Sequence, residues 1–218
     1  MGIQERRIRE KAERRATILD AARTLLFKEG ISGTSVHQIA KMTELSVGTI
    51  YLYFRSKEEI FATLQEEGLD ILKRMAEDAG KEGATPTEKL IKMAESYFEF
   101  SSEQKKYFDI FNYFISAPKV IFPPPLKLKI DAHGKKILGL VEKVIESGIA
   151  SGEFNEVVPK VFALSFWGTM HGLIQFRKFE ATLMKKGDFS RIYTHTAAYF
   201  INGICKKPTP PAWKSLSV

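Results

Sequence analysis

Thr34 to Lys57, TSVHQIAKMTELSVGTIYLYFRSK, is the stretch whose reading decides the fold. Val36, Ile39 and Ala40 recur at helical spacing, so Ser35 to Met42 can bury one face. Ser35 is placed to cap that helix, with Gln38 three residues on to answer it. Thr43, Glu44 and Leu45 leave room only for a sharp bend, and Leu45 is the residue to fill the space between the two helices. Ser46 then opens a second helix in which Val47, Ile50 and Phe54 face inward while Thr49, Tyr51 and Tyr53 point out. This is the layout of a helix-turn-helix, in which the first helix holds the second in the major groove. Gly48 fits it: a glycine inside a short helix costs about 1 kcal/mol relative to alanine. A phosphate approaching the backbone explains that cost, and so does close packing of two helices.

Val47-Gly48-Thr49-Ile50-Tyr51, Tyr53-Phe54 and Ser56-Lys57-Glu58-Glu59 closely resemble the DNA-binding signature of the TetR family of bacterial transcriptional regulators. The resemblance covers about Ala16 to Phe61. It implies an all-α homodimer with an N-terminal three-helix DNA-binding domain, residues 1–56, and a larger helical effector-binding and dimerisation domain, residues 57–207, followed by a tail, 208–218. Carried over by position, the DNA contacts are Ser35, Ser46, Val47, Gly48, Thr49, Tyr51, Tyr53 and Lys57. The base-contacting positions vary most within the family, so the operator sequence is not legible here.

Charge agrees in position more than in total. The formal net charge is +7, and residues 1–57 hold eleven Lys/Arg against six Asp/Glu. Basicity is thus concentrated in the segment expected to meet DNA. Residues 3–15, IQERRIREKAERR, have two readings: an arm along phosphates or in the minor groove, or a solvated helix end. Glu5, Glu10 and Glu13 offset the arginines and favour the solvated end. Ile18, Ala22, Leu25 and Leu26 then form an apolar stripe, which Gly30 is expected to stop. Ser56 and Glu59 form a capping box for a long helix, Lys57 to Glu82, the rod joining the two domains. Lys57 in its first turn opposes the helix dipole unless an anion is near, which favours a phosphate contact.

Thr85-Pro86-Thr87-Glu88 starts the next helix. Nine aromatic residues then fall within the 26 positions from Tyr97 to Phe122. Lys106 to Ser116 is apolar almost all round, which calls for burial on most sides or a cavity wall. Both a dense core and a pocket for an apolar or aromatic effector satisfy that pattern. The candidate effector residues are Phe100, Phe108, Phe111, Phe114, Trp167, Met170 and His171. His171 also reads as a satisfied core histidine, and His133 as a surface residue.

Pro118 and Pro123-Pro124-Pro125 read as a stiff, exposed elbow. An apolar helix is expected from Pro159 to about Phe179, with Gly168 and Gly172 on one face, and a last helix from about Phe189 to Cys205. By the resemblance these two pair with their copies in the partner, a seam assigned to Gly168, Gly172, Phe176, Phe200 and Ile204.

No Walker loop, dinucleotide fingerprint, zinc-protease or nucleophile-elbow motif occurs, and no catalytic residue, cofactor or metal is assigned. The single cysteine, Cys205, and the charged N-terminus without an apolar leader point to the cytoplasm. The sequence therefore reads as a ligand-responsive repressor acting on a palindromic DNA operator. The alternatives are an activator and a ligand carrier that keeps the fold.

Overall fold

The computed structural model describes residues 2–117, 122–184 and 187–207, the side chains of Ile3 and Ile31 excepted. Among these residues the regular structure is helical: α1 (Ile3–Gly33), α2 (Val36–Met42), α3 (Val47–Tyr53), α4 (Lys57–Glu82), α5 (Pro86–Glu103), α6 (Lys105–Ser116), α7 (Pro124–Ala150), α8 (Pro159–Gln175), a 3-10 turn (Phe176–Phe179), α9 (Glu180–Leu183) and α10 (Asp188–Asn202). One isolated antiparallel bridge pairs Phe154 with Cys205. No described helix is long and apolar enough to cross a membrane. The proposed tail, 208–218, lies outside the described residues.

The chain forms two compact units, residues 1–68 with 106–131, and residues 69–105 with 132–218. In the first, Ile18, Ala22, Ile39, Ile50, Phe54, Ile60 and Leu64 form a core from one face each of α1 to α4. Gly30 does not stop α1. It interrupts the helix with φ 69°, ψ 179°, after which a last turn runs to Gly33. Thr34, fully buried, closes that turn by donating from its Oγ1 to the Gly30 carbonyl at 2.7 Å. Ser35 and Gln38 form the expected capping box on α2. The bend before α3 puts Glu44 at φ 55°, a left-handed conformation that the sequence reading did not foresee.

The first unit also takes in α6 and the first turns of α7. A Cβ on Gly68 would stand 3.1 Å from the Tyr107 Cβ, so α4 and α6 touch almost backbone to backbone. Around that contact Arg23 donates to Glu67 at 3.0 Å and to Asp20. The Tyr107 hydroxyl donates to the same Glu67 oxygen at 3.3 Å. Burial opposes the Arg23 charge, but Asp20, Tyr107 and Glu67 outweigh it and push the guanidinium pKa up.

In the second unit α5, α8 and α10 pack through Tyr97, Phe100, Phe162, Phe166, Met170, Phe189, Tyr193 and Ile201, all buried. Thr85 and Glu88 cap α5 reciprocally. Two expectations shift in register. The apolar run from Pro159 ends as α8 at Gln175 and continues as the 3-10 turn and α9, and α10 closes at Asn202 rather than Cys205. Ile204 and Cys205 instead form an edge beside Asn155 and Phe154, where the Asn155 N–H donates to the Ile204 carbonyl at 2.7 Å. Pro124 and Pro125 lie in the first turn of α7, where a missing N–H costs no helical bond, so they do not form a free polyproline segment. Pro118 is outside the described residues. His133 is not a surface residue: its side chain is 16% exposed, with Nε2 3.1 Å from Asp70 Oδ1.

Candidate nucleic-acid interface and effector region

Helix α3 is capped by Ser46, whose Oγ accepts from the Thr49 N–H at 3.0 Å and lies 2.8 Å from the Thr49 hydroxyl. That ties two expected DNA contacts to each other and fixes the start of the helix. Ile50 and Phe54 are buried as expected, whereas Val47 is only half-buried. Tyr51 is 50% exposed, Gly48 is exposed, and Thr49 and Tyr53 are half-buried. Ser35 and Lys57 are half-buried at the starts of α2 and α4, and the Lys57 ammonium stands 5.4 Å from the Phe61 ring. All eight expected DNA residues therefore lie in one unit, on α2, α3 and the start of α4.

Gly48 has no packing reason in the protomer. A Cβ there would meet only the Ser46 Oγ, at an ordinary 3.7 Å. The sequence reading missed Leu52. It is 79% exposed, and at helical spacing it falls on the same face as Gly48 and Thr49. Its hydrophobicity hid it, since a leucine between two tyrosines reads as core.

Ser56 receives the Glu59 N–H at 3.2 Å, but the Glu59 carboxylate reaches past Ser56 to the Arg55 N–H at 2.6 Å. The α4 cap is thus one residue wider than a capping box.

The expected effector residues divide between the units. Phe108, Phe111 and Phe114 belong to the first. There Phe108 is buried while Phe111 and Phe114 are half-buried, and Tyr113 and Ile115 are 41% and 40% exposed. Helix α6 is therefore not buried on most sides within the protomer. Phe114 packs on Phe61 and Phe122, at centroid distances of 6.4 Å and 4.4 Å.

Phe100, Trp167, Met170 and His171 belong to the second unit. Phe100 and Met170 are 1% and 2% exposed, and Trp167 is half-buried. The Tyr97 hydroxyl lies 2.8 Å from His171 Nδ1 and is also hydrogen-bonded by Trp167. Burial holds the Tyr97 phenol protonated, pushing its pKa well up, and lowers that of His171, so both groups are neutral. One turn further along α5, Ser101 accepts from Arg177 at 3.1 Å. The Arg177 guanidinium lies over Phe98 at 4.7 Å and Phe189 at 5.3 Å, with no carboxylate in ion-pair range among the described residues. Helix α7 leaves Ile137, Leu138, Val141 and Val144 half-buried, where the spacing alone suggests full burial.

The expected seam is partly open in the protomer. Gly168 is exposed, and a Cβ on either Gly168 or Gly172 would meet nothing within 4 Å. Phe176 is 50% exposed and Phe200 half-buried. Ile204 is only 6% exposed, so its apolar surface is already used inside the chain. Val161, Leu164 and Tyr199 are more than half exposed or close to it, at 61%, 52% and 50%.

Residues 18–64 match the family model of bacterial regulatory proteins of the tetR family, and residues 83–176 match the tetracyclin repressor-like C-terminal domain. The fatty acid metabolism regulator protein of Bacillus subtilis (strain 168) is 30% identical over 150 residues, covering 68% of this chain and 75% of the relative. The chain belongs to the TetR family. It is accordingly a TetR-family DNA-binding transcriptional regulator, with its helix-turn-helix in α2 and α3. Among solved structures, the transcriptional regulator FadR from Bacillus subtilis in complex with stearoyl-CoA superposes with a TM-score of 0.70 at 26% identity, over 87% of this chain and 98% of that one. The structure of AibR in complex with isovaleryl coenzyme A and operator DNA shares the fold, with a TM-score of 0.67 at 20% identity over 85% of this chain and 97% of that one. The TetR-family regulator thus keeps the family's helical order along most of its length.

Proposed function

We propose that this regulator is a homodimeric repressor that leaves a palindromic operator when a long-chain acyl thioester binds its larger domain, taken as residues 57–207. The supporting observation is the similarity to a fatty acid metabolism regulator at 30% identity and to a FadR structure holding stearoyl-CoA at 26%. Phe108, Phe111 and Phe114 are the candidate effector residues of the first unit, and in the second Phe100 and Trp167, with Met170, supply apolar surface of the kind an acyl chain needs. The half-buried aliphatic residues of α7 add to it. His171 and Tyr97, both held neutral by burial, add polar groups beside that surface. Arg177, with no carboxylate in ion-pair range among the described residues, offers a charge to an anionic group of the ligand. Phe108, Phe111 and Phe114 lie on the helix that Arg23, Glu67 and Tyr107 tie to α1 and α4 within the DNA-binding unit.

Ser35, Ser46, Val47, Gly48, Thr49, Tyr51, Tyr53 and Lys57 position the recognition helix on phosphates and bases. Leu52 joins them as an apolar contact of the kind a thymine methyl accepts. Two such helices in a two-fold dimer reach successive major grooves about 34–36 Å apart. Affinity selection on sheared genomic DNA tests this directly. Recovered fragments should share a palindrome and bind with two protomers, or a multiple of two, per site. Recovery of no sequence above background would sink the reading.

The seam carries its own prediction. Two glycines in the interior of α8 each cost about 1 kcal/mol relative to alanine, and no neighbour in the protomer needs the space. Close approach of the partner's helix accounts for them. Gly168→Leu with Gly172→Leu should lower the mass seen by light scattering from dimer to monomer at micromolar protein while the helical circular dichroism persists. An unaltered dimer mass refutes this seam.

A further inference from the structure

The N-terminal half of α1 sorts its charges by face. Arg6 pairs with Glu10 at 2.7 Å and Arg9 approaches Glu13 at 3.7 Å, and the Gly2 N–H donates to Glu5 at 3.0 Å. At 100° per residue all five charged side chains fall on one side of the helix. The opposite side carries Arg7, Lys11 and Arg14, spaced four and three apart, all exposed and with no ion pair among the described residues. The same line continues as Ile18, Ala22 and Leu25, the core-facing stripe of α1. The helix thus turns towards solvent, beyond its core, the face by which it packs on its own unit. Of the glutamates that make the segment look balanced in sequence, Glu5 and Glu13 lie on the far side, and Glu10, which borders the stripe one turn from Arg7 and Arg14, is taken up by Arg6.

The base of this extension is fixed beside the recognition helix. Arg15 donates to the Thr63 Oγ1 at 3.3 Å, and its guanidinium lies 4.2 Å from the centroid of Phe54, the residue that caps the end of α3. The cationic line starts one residue before this anchor, at the junction of α3 and α4. From Arg14 to Arg7 it runs about 10 Å, a length over which a duplex carries about six phosphates.

We propose that Arg7, Lys11 and Arg14 form a second DNA-contact element, a helical rail lying along the phosphate backbone of the duplex held by the recognition helix. The proposal rests on the DNA-binding reading above. Duplex phosphate is the occupant because the stripe itself is cationic, is continuous with the unit that carries the helix-turn-helix, and has its one flanking acid, Glu10, engaged by Arg6.

Two full-length variants separate the faces: Arg7→Gln/Lys11→Gln/Arg14→Gln on the rail and Arg6→Gln/Arg9→Gln opposite. Glutamine keeps helix propensity close to that of Arg and Lys. Binding to a labelled 40-bp random-sequence duplex and to a fragment recovered by genomic selection is measured by anisotropy across a salt series. Each lost phosphate contact removes about 0.9 from the slope of log K against log salt. The rail variant should therefore lose about 5 in slope per dimer and at least tenfold in affinity at 100 mM salt on both duplexes. The opposite-face variant should lose less than a third of that, and Arg7→Lys/Arg14→Lys should keep the wild-type slope. Equal losses in the two faces, or an unchanged rail variant against a wild type that binds, overturn the rail alone. A wild type that binds neither duplex overturns the regulator reading and the rail with it.

Discussion

Tyr51→Ala combined with Lys57→Ala should abolish operator binding at physiological salt, by at least a thousandfold, and leave the fold and the dimer unchanged. Both side chains sit at the surface of the first unit, Tyr51 at 50% exposure and Lys57 half-buried. Removing them costs the core little: surface substitutions usually stay within about 0.5 kcal/mol, and the Lys57 contact with the Phe61 ring adds about the same again. A hydrogen bond to a charged phosphate contributes about 1.5–3 kcal/mol. Two per protomer, doubled by the dimer, total about 6–12 kcal/mol, more than the roughly 4 kcal/mol that a thousandfold represents. Loss of Lys57 should also lower the salt slope by about 2 per dimer, and Tyr51 alone should not change it. Anisotropy on the recovered operator, with thermal melting as the control for folding, checks both. Gly48→Ala gives the complementary sign. It should raise stability by up to about 1 kcal/mol, because its Cβ meets only Ser46 Oγ at 3.7 Å, and weaken DNA binding.

Gly148→Ala should be the most damaging single methyl in the larger domain. The added Cβ would stand 2.1 Å and 2.3 Å from Phe154 ring carbons, and Phe154 is fully buried. The ring has little room to retreat: the Phe154 N–H donates to the Gly148 carbonyl at 3.0 Å, and the residue bridges to Cys205. Overpacking of this kind costs about 1–3 kcal/mol or more. The melting temperature should fall by several degrees, read by calorimetry, with DNA contacts in α3 unaffected per folded molecule. An unchanged melting temperature would mean that the Phe154 turn can move aside.

The helix-turn-helix was legible because its signals are local. Caps at Ser35 and Ser46, the apolar spacing of Val36, Ile39 and Ile50, and a short bend all act within four residues of each other. Glu44 was not legible, since its left-handed φ is imposed by the bend and not by a glycine or asparagine. Leu52 was passed over, because hydrophobicity reports burial, the rule that placed Ile50, and a leucine exposed on α3 breaks it. The larger domain was harder. Its aromatic residues announced apolar surface but not its division between α6 in one unit and α5 and α8 in the other. That Tyr97 would meet His171, 74 residues away, is a tertiary fact with no local mark. His133 was misjudged because its partner, Asp70, lies on another helix. The charge balance of residues 3–15 concealed an asymmetry that appears only when α1 is followed around its axis.

The most direct test of the proposed function is a titration of the operator complex with stearoyl-CoA, with coenzyme A alone as the control. A ligand shifts the DNA-bound and DNA-free states only by its differential affinity for them, so tenfold release corresponds to about 1.4 kcal/mol. Stearoyl-CoA should lower operator affinity by tenfold or more at saturation, with coenzyme A having no effect. By reciprocity the operator should weaken stearoyl-CoA binding by the same factor. An operator complex that stearoyl-CoA leaves unchanged at concentrations that saturate the free protein would contradict the account.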